Sequence, residues 1–481
     1  MATVISAPAP MRGVARGGAV NLAGAAVAGL AGFGVTWLVA RALGTREAGG
    51  FFAATAAFTL AGTVAKLGTP TGLVYFLARL RSGGASGAAL RRCLRVGLVP
   101  VLVASVPAGL VLWYATSGAL HGYRALAVLL PVAVLADTLL AATRGWQAMR
   151  PTVLLDRLLR PGLQLAGLGA LMLAGVTAPA GYALGWALPY VPTALLAAYA
   201  LRRLLPGRDN HWGSVDAQGF WRFTAPRAVA SVAQLALQRA DVLLLASLAG
   251  LRAAAVYAVA GRFMALGQLA NQAILLSVQP RLAELLGARD RAGANALYQT
   301  ATGWLVLTAW PLYLGTAVFA SVYLGLFGPA YRGAVPVVMV LALTMLAATG
   351  CGMVDTVLAM AGRTSWNLVN VLTALAVNLA VDLTLIPHLG ALGAAIGLAA
   401  AVLTNNLVPL SQVAFVLGLH PFGRATFLAS GLATGCLGAA PLVVRTIAGA
   451  SPSSALVAAA LGGTAYLFVI ARARRALRLG G

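Results

Sequence analysis

The chain has 481 residues, 60% of them hydrophobic and only 9% charged, with a mean hydropathy of +0.88. A soluble protein of this length carries about 25% charged residues, so a water-facing surface is excluded over most of the chain. The net charge of +24, from 34 basic and 10 acidic residues, would suggest nucleic acid in a soluble chain; in a membrane chain it first asks where the arginines sit.

Apolar runs of about 20 residues recur from end to end, the pattern of an all-α polytopic membrane protein. They do not alternate in the ~10-residue segments of an outer-membrane barrel. In chain order the predicted spans are 18–40, 49–77, 96–116, 125–143, 152–175 and 181–201, then 224–248, 253–278, 296–320, 333–358, 366–386 and 391–417, and finally 425–444 and 453–471. The opening MATVISAPAPMRGVARGG lacks a short apolar core with a cleavage site, so the first span is expected to be a permanent anchor. Fourteen spans put both ends on one side. One set of loops and tails holds 25 basic residues, among them Arg79, Arg81, Arg91, Arg92, Arg95, Arg144, Arg150, Arg157 and Arg160; the opposite loops hold 6. That asymmetry predicts cytoplasmic termini in a bacterial inner membrane and accounts for most of the charge without nucleic acid. Attraction to anionic lipid headgroups is an expected by-product.

The expected organisation is a cytoplasmic tail (1–17), an N-lobe of helices 1–6 (18–201), a cytoplasmic linker (202–223) and a C-lobe of helices 7–12 (224–417). Helices 13–14 (425–471) and a basic tail (472–481) follow. A weak internal repeat supports two halves running in the same direction. ALGTREAGGFFAA overlays LAGLRAAAVYAVA, with Gly44 on Gly250 and Arg46 on Arg252. ADTLLAATRG overlays VDTVLAMAGR, with Asp137 on Asp355. Repeated bundles are the usual build of a secondary transporter. Cys93, Cys351 and Cys436 are far apart, without metal-ligand spacing.

Three cations fall deep within spans: Lys66, Arg239 and Arg262. Spans 7 and 8 are joined by a tight turn near Gly250, with the two arginines about 11 residues to either side. At 1.5 Å per residue both lie roughly 14 Å inside the surface. Each cation at a helix centre costs about 2.5–3.5 kcal/mol if it faces lipid, on the order of 7–10 for the three. They are therefore expected to line a cationic cavity for an anionic substrate, where guanidinium forks suit phosphate oxygens. Alternatively each pairs with a carboxylate on another helix, such as Asp137, Asp355 or Asp382. Asp241 is too close in sequence to pair with Arg239 on one helix face and reads as a counter-ion or helix-end residue. In the outer turn, Pro387 is expected to end span 11, and Gly393 and Gly397, four apart, to let span 12 approach a neighbour. Asn405, Asn406, Gln268, Asn271 and Gln272 read as candidates for helix–helix hydrogen bonds or for sugar contacts.

ARALGTREAGGFFAATAAF, RADVLLLASLAGLRAAAVYAVAGRF and LAMAGRTSWNLVNVLTALAVNLAVDLTLIPHLGALGAAIG resemble the bacterial oligosaccharide (O-antigen and capsule type) flippases. Those belong to the multidrug/oligosaccharidyl-lipid/polysaccharide exporter superfamily, and the resemblance runs through nearly the whole chain. It implies fourteen helices, two six-helix lobes in pseudo-twofold arrangement plus two C-terminal helices. It also implies alternating access that moves an undecaprenyl-pyrophosphate-linked sugar from the inner to the outer leaflet. The pyrophosphate would rest on Arg262, Arg239 and Lys66. Asp241, Asp137, Asp355 and Asp382 would serve coupling, by Na+ or H+, or as counter-ions; no cofactor is implied. The implied partners are the lipid-linked glycan, the bilayer and polysaccharide-assembly proteins. Tyr257 to Arg262 matches a Y-x-x-x-x-R-like stretch of the lipid II flippases, but span 1 lacks the arginines that those carry. A multidrug antiporter of the same superfamily would need an acidic cavity. An enzyme would need an outer catalytic loop, and the outer loops are short, with only His121 and His388 near them. A scaffold role is the remaining alternative.

Overall fold

In the computed structural model, residues 9–206 and 216–472 are described, with side chains from residue 23 onward except at 270, 273 and 276. Residues 1–8, 207–215 and 473–481 lie outside the described set, and with them Arg208, Arg474, Arg475 and Arg478 of the expected basic loops and tail. By their contacts the residues divide into two compact units, Met1–Ala42 with Ala54–Leu235, and Leu43–Ala53 with Ala236–Gly481.

The first unit contains α1 (Ala9–Ala42) and residues 54–65 of α2 (Gly44–Ala65). Next come α3 (Thr69–Ser82), α4 (Gly87–Ala115), α5 (Ala125–Gly145) and the single turn α6 (Met149–Pro151). A π-helical stretch, Thr152–Leu159, leads into α7 (Arg160–Leu173), followed by α8 (Pro179–Ala187), α9 (Tyr190–Leu204) and residues 217–235 of α10 (Ala217–Leu248). The predicted second span is thus two helices. Leu67 (φ 50) and Gly68 (φ 71) interrupt it in left-handed backbone, and Pro70 opens α3. A side chain at Gly68 would strike the backbone of Thr224 and Ala228, so the break lets the chain pass close against α10. Ser86 caps α4 by accepting from the Ala89 amide. Leu73, Leu77, Leu90, Cys93, Leu140, Leu201 and Phe220 form the core.

The second unit begins with residues 43–53 and the end of α10. It continues with α11 (Leu251–Ala260), α12 (Phe263–Gly287), α13 (Arg291–Val318) and α14 (Ala320–Gly325). Then come α15 (Val335–Gly350), α16 (Val354–Met360), α17 (Thr364–Leu389) and α18 (Ala391–Gln412). The chain ends with α19 (Arg424–Thr434), α20 (Ala440–Ala448) and α21 (Pro452–Arg472). Asp290 caps α13 through the Gly293 amide, 2.8 Å away, where a carboxylate also meets the positive end of the helix dipole. Tyr298, Leu305, Met353, Val357 and Leu419 centre one core. Val306, Ala429 and Tyr466 bind α13, α19 and α21 in another, where Tyr466 donates to the Leu307 carbonyl at 2.8 Å.

The α17–α18 corner corrects one expectation and supports another. Pro387 does not end α17, which runs to Leu389; Gly390, at φ 54, makes the turn. A proline near a helix end removes a hydrogen bond without forcing a stop when the next residue can take positive φ. Gly393 does allow close approach, since a Cβ there would overlap the Leu385 and Ile386 backbone.

The repeat match has a structural counterpart. Gly44 (φ 70), the first residue of α2, and Gly250 (φ 88), just before α11, each take positive φ where a helix opens. Within the second unit, a Cβ on Gly49 would fall on the Leu251 carbonyl. Gly49→Ala is expected to destabilise by about 3 kcal/mol, the upper end of overpacking costs because the obstacle is backbone. Gly463→Ala meets nothing within 4 Å and serves as the control. Thermal melts of the two variants in detergent check this.

Eleven helices among the described residues are long and apolar enough to cross a membrane: 23–42, α2, α4, α5, Pro179–Leu204, α10, Pro329–Met360, α17, Ala391–Leu417, Arg424–Ala448 and α21. Their outward side chains are apolar, as at Leu195, Phe415 and Ile447, the surface that lipid rather than water requires. The chain is therefore a multi-pass membrane protein without strands among the described residues. The count of fourteen is not reached on this criterion. The other three predicted spans are helical but interrupted or more polar. The fifth contains a π stretch with Asp156, Arg157 and Arg160, the eighth breaks at Gly261–Arg262, and α13 carries Asn295, Gln299, Thr300 and Thr302.

Candidate functional site

Charged side chains gather at one place in the first unit and two in the second. In the first unit, Lys66 follows the last residue of α2 at the helix break, and its Nζ lies 3.0 Å from Asp137 Oδ2 on α5. Arg160, where the π stretch becomes α7, reaches Asp137 Oδ1 at 3.4 Å and Asp156 Oδ1 at 2.6 Å. Its guanidinium also lies over the Tyr190 ring, 4.7 Å from the centroid. Lys66 thus takes the arrangement in which a deep cation pairs with a carboxylate of another helix. Arg160 had been grouped with the loop arginines; it belongs inside the bundle instead. The i,i+4 spacing of Asp156 and Arg160 within an apolar segment was the available signal.

In the second unit the hairpin of α10 and α11 forms as expected. Tyr257 donates to Asp241 across it, which sets residue 241 beside residue 257 and residue 239 near residue 259. Arg262 lies three residues further on, where the helix is interrupted, so the two guanidiniums are at nearly one depth, about 4–5 Å apart along the axis. Neither Arg239 nor Arg262 forms an ion pair among the described residues, and the Nε of each is buried without a hydrogen-bond partner. Arg262 has the like charge of Arg239 as a neighbour and no carboxylate acting on it. Asp241 points away from them, two residues along the helix.

Asp241 has different neighbours. It is 2% exposed and lies beside Asp382 and Asn378 of α17, both fully buried. Asn378 donates to Asp382 Oδ2 at 3.3 Å. The Oδ1 atoms of Asp241, Asp382 and Asn378 have no hydrogen-bond partner among the described residues. Gly397 of α18 leaves the room in which the Asp382 carboxylate sits, since a Cβ there would collide with Oδ1. So Gly397, expected only to pack, makes space for a charge. Two carboxylates side by side in a buried place repel as anions, so the pair calls for a shared proton or a bound cation. Sequence reasoning named both aspartates without bringing them together.

Asp355 lies in the first turn of α16 and has no cationic partner among the described residues; the Asn367 amide donates to its backbone carbonyl at 2.8 Å, and the Asn405 amide lies beside its carboxyl. Asn370 and Gln412 exchange hydrogen bonds at 2.9 and 3.0 Å, joining α17 to α18. Asn406 was expected to bond between helices, but its amide donates to Val402 on its own helix.

Residues 14–286 match the family described as polysaccharide biosynthesis protein, and residues 226–384 match the MatE family. Among solved structures, an inward closed conformation of the lipid II flippase MurJ superposes with a TM-score of 0.72 at 13% identity, covering 94% of this chain and 97% of that one. An inward-facing multidrug resistance MATE transporter gives 0.62 at 16% identity, with 83% and 94% covered. A superfamily transporter from Pyrococcus furiosus, described as having a binding pocket of reverse polarity, gives 0.58 at 16% identity, with 84% and 95% covered. At such identities the likeness is one of fold. No curated protein matches the chain.

Proposed function

The chain belongs to the polysaccharide biosynthesis protein family of the multidrug/oligosaccharidyl-lipid/polysaccharide exporter superfamily, and we propose that it is a flippase. Its substrate on this reading is an undecaprenyl-pyrophosphate-linked oligosaccharide, carried from the inner to the outer leaflet of a bacterial cytoplasmic membrane by alternating access, for surface polysaccharide assembly. The observation that carries this reading is the pair Arg239 and Arg262, half-buried at nearly one depth, with the Nε of each buried and no carboxylate partner among the described residues. Such a pair is stable only with an anion or water against it, and a guanidinium fork suits the paired oxygens of a phosphate. Both termini face the cytoplasm, following the bias of basic residues. Polysaccharide-assembly proteins are the partners expected at the two ends of the transport step.

The buried Asp241–Asp382 pair is the coupling site on this reading. Its unpartnered oxygens and the Asn378 carbonyl are hard ligands that suit a monovalent cation, Na+ or H+. The same pair favours a second reading, a cation-coupled multidrug antiporter; a lipid II flippase is the third, on fold alone.

Purified protein in liposomes containing a lipid-linked oligosaccharide distinguishes them. Flipping is measured as access of an outside lectin to sugar that began inside. The expected result is crossing of the oligosaccharide lipid and of short prenyl-pyrophosphate glycans, without uptake of a fluorescent cation. Crossing of lipid II alone, or cation uptake without lipid crossing, overturns the assignment.

A further inference from the structure

The first unit's charged cluster has a geometry that a simple structural ion pair does not need. Lys66 and Arg160 come from different helices, and each takes a different oxygen of Asp137, at 3.0 and 3.4 Å. Two cations dividing two oxygens of one anion is also how a phosphoryl group is held. The cluster is not sealed: the Lys66, Arg160 and Asp137 side chains keep 21%, 19% and 32% of their accessibility. Both cations stand on irregular backbone, Lys66 at the left-handed break and Arg160 at the end of the π stretch. Irregular backbone at membrane depth is tolerated where it is buried in protein or lines a water-filled cavity. Depth agrees, since Asp137 lies two residues from the middle of α5 (Ala125–Gly145), about 3 Å along the axis.

The bond lengths say which contact can exchange. Arg160 is anchored by Asp156 at 2.6 Å and by the Tyr190 ring, while its bond to Asp137 is long at 3.4 Å. Losing Asp137 would leave Arg160 in place with one nitrogen turned toward the vacated position. Arg144 adds a further positive charge within reach of Asp137.

We infer that Lys66 and Arg160 form a phosphoryl-binding subsite of the first unit, and that Asp137 is an internal anion that occupies it when no substrate is present. The carboxylate neutralises both cations in the empty carrier, and a phosphoryl oxyanion displaces it. The inference rests on the anionic-lipid reading above, but its residues lie apart from the Arg239–Arg262 pair on which that reading stands.

The test is binding of farnesyl pyrophosphate to the purified full chain in nanodiscs. Asp137→Asn removes the competitor, so the apparent Kd is expected to fall about tenfold. Adding Lys66→Met to Asp137→Asn is expected to cancel that gain. Lys66→Met alone is expected to weaken binding about tenfold, which a merely structural pair would not do; it keeps the test open should Asp137→Asn not fold. Unchanged or weaker binding by folded Asp137→Asn, or unchanged binding by Lys66→Met, overturns the subsite. Arg262→Ala is measured alongside. If it binds normally while Asp137→Asn tightens, the subsite stands and the reading built on Arg262 falls. If it weakens while the Asp137 and Lys66 variants do nothing, only the subsite falls.

Discussion

Arg262→Ala is expected to lower the rate of flipping in liposomes at least 100-fold while leaving the protein inserted and folded. Arg262 is half-buried at the break between α11 and α12, its buried Nε without a hydrogen-bond partner among the described residues and Arg239 the nearest acting like charge. Removing one partner of a buried ion pair leaves an orphaned charge and costs stability. Here no carboxylate is orphaned among the described residues, and a like-charge repulsion disappears. The melting temperature of Arg262→Ala should therefore stay level or rise as transport is lost. A residue kept for packing would show the opposite, lower stability with transport intact. Arg262→Lys keeps the charge but not the planar fork, so a partial rate is expected, on the order of a tenth. Normal flipping by well-folded Arg262→Ala would sink the pyrophosphate site.

Asp382→Asn is expected to uncouple the second unit. In the native chain the carboxyls of Asp241 and Asp382 adjoin each other with no cationic side chain among the described residues to balance them. An amide at 382 removes one negative charge and the repulsion between the two. It still offers an oxygen to the Asn378 amide. Folding should be unharmed, with an unchanged or higher melting temperature. Transport driven by an imposed Na+ or pH gradient should drop about tenfold or more and lose its response to the gradient. An intact gradient response in Asp382→Asn would remove the pair from coupling and leave it a structural feature of the α10–α17 contact.

Much of the site was legible in the chain, but not its pairings. The α10–α11 hairpin could be read from a short turn between apolar runs, because register in an antiparallel hairpin follows from counting residues. Arg239 and Arg262 fell at similar depth for that reason. Arg160 was missed because it follows Arg144, Arg150 and Arg157 closely, so it resembled a loop cation. Its inward position depends on the π stretch at Thr152–Leu159, where one extra residue per turn shifts which side chains face the bundle. The break at Leu67–Gly68 acts similarly on Lys66; Gly68 and Pro70 were its signals in the sequence, outweighed by the length of the apolar run around them.

Composition, hydropathy and the depth of three cations were determined by the sequence itself, because each depends on what lies along the chain. Which carboxylate meets which cation was decided only by the tertiary structure. A helix apolar on nearly every face has no polar stripe to reveal its rotation about its axis, and rotation decides whom a buried charge faces. Asp137 therefore went to Lys66 and Arg160, Asp382 to Asp241, and Arg239 and Arg262 were left with each other.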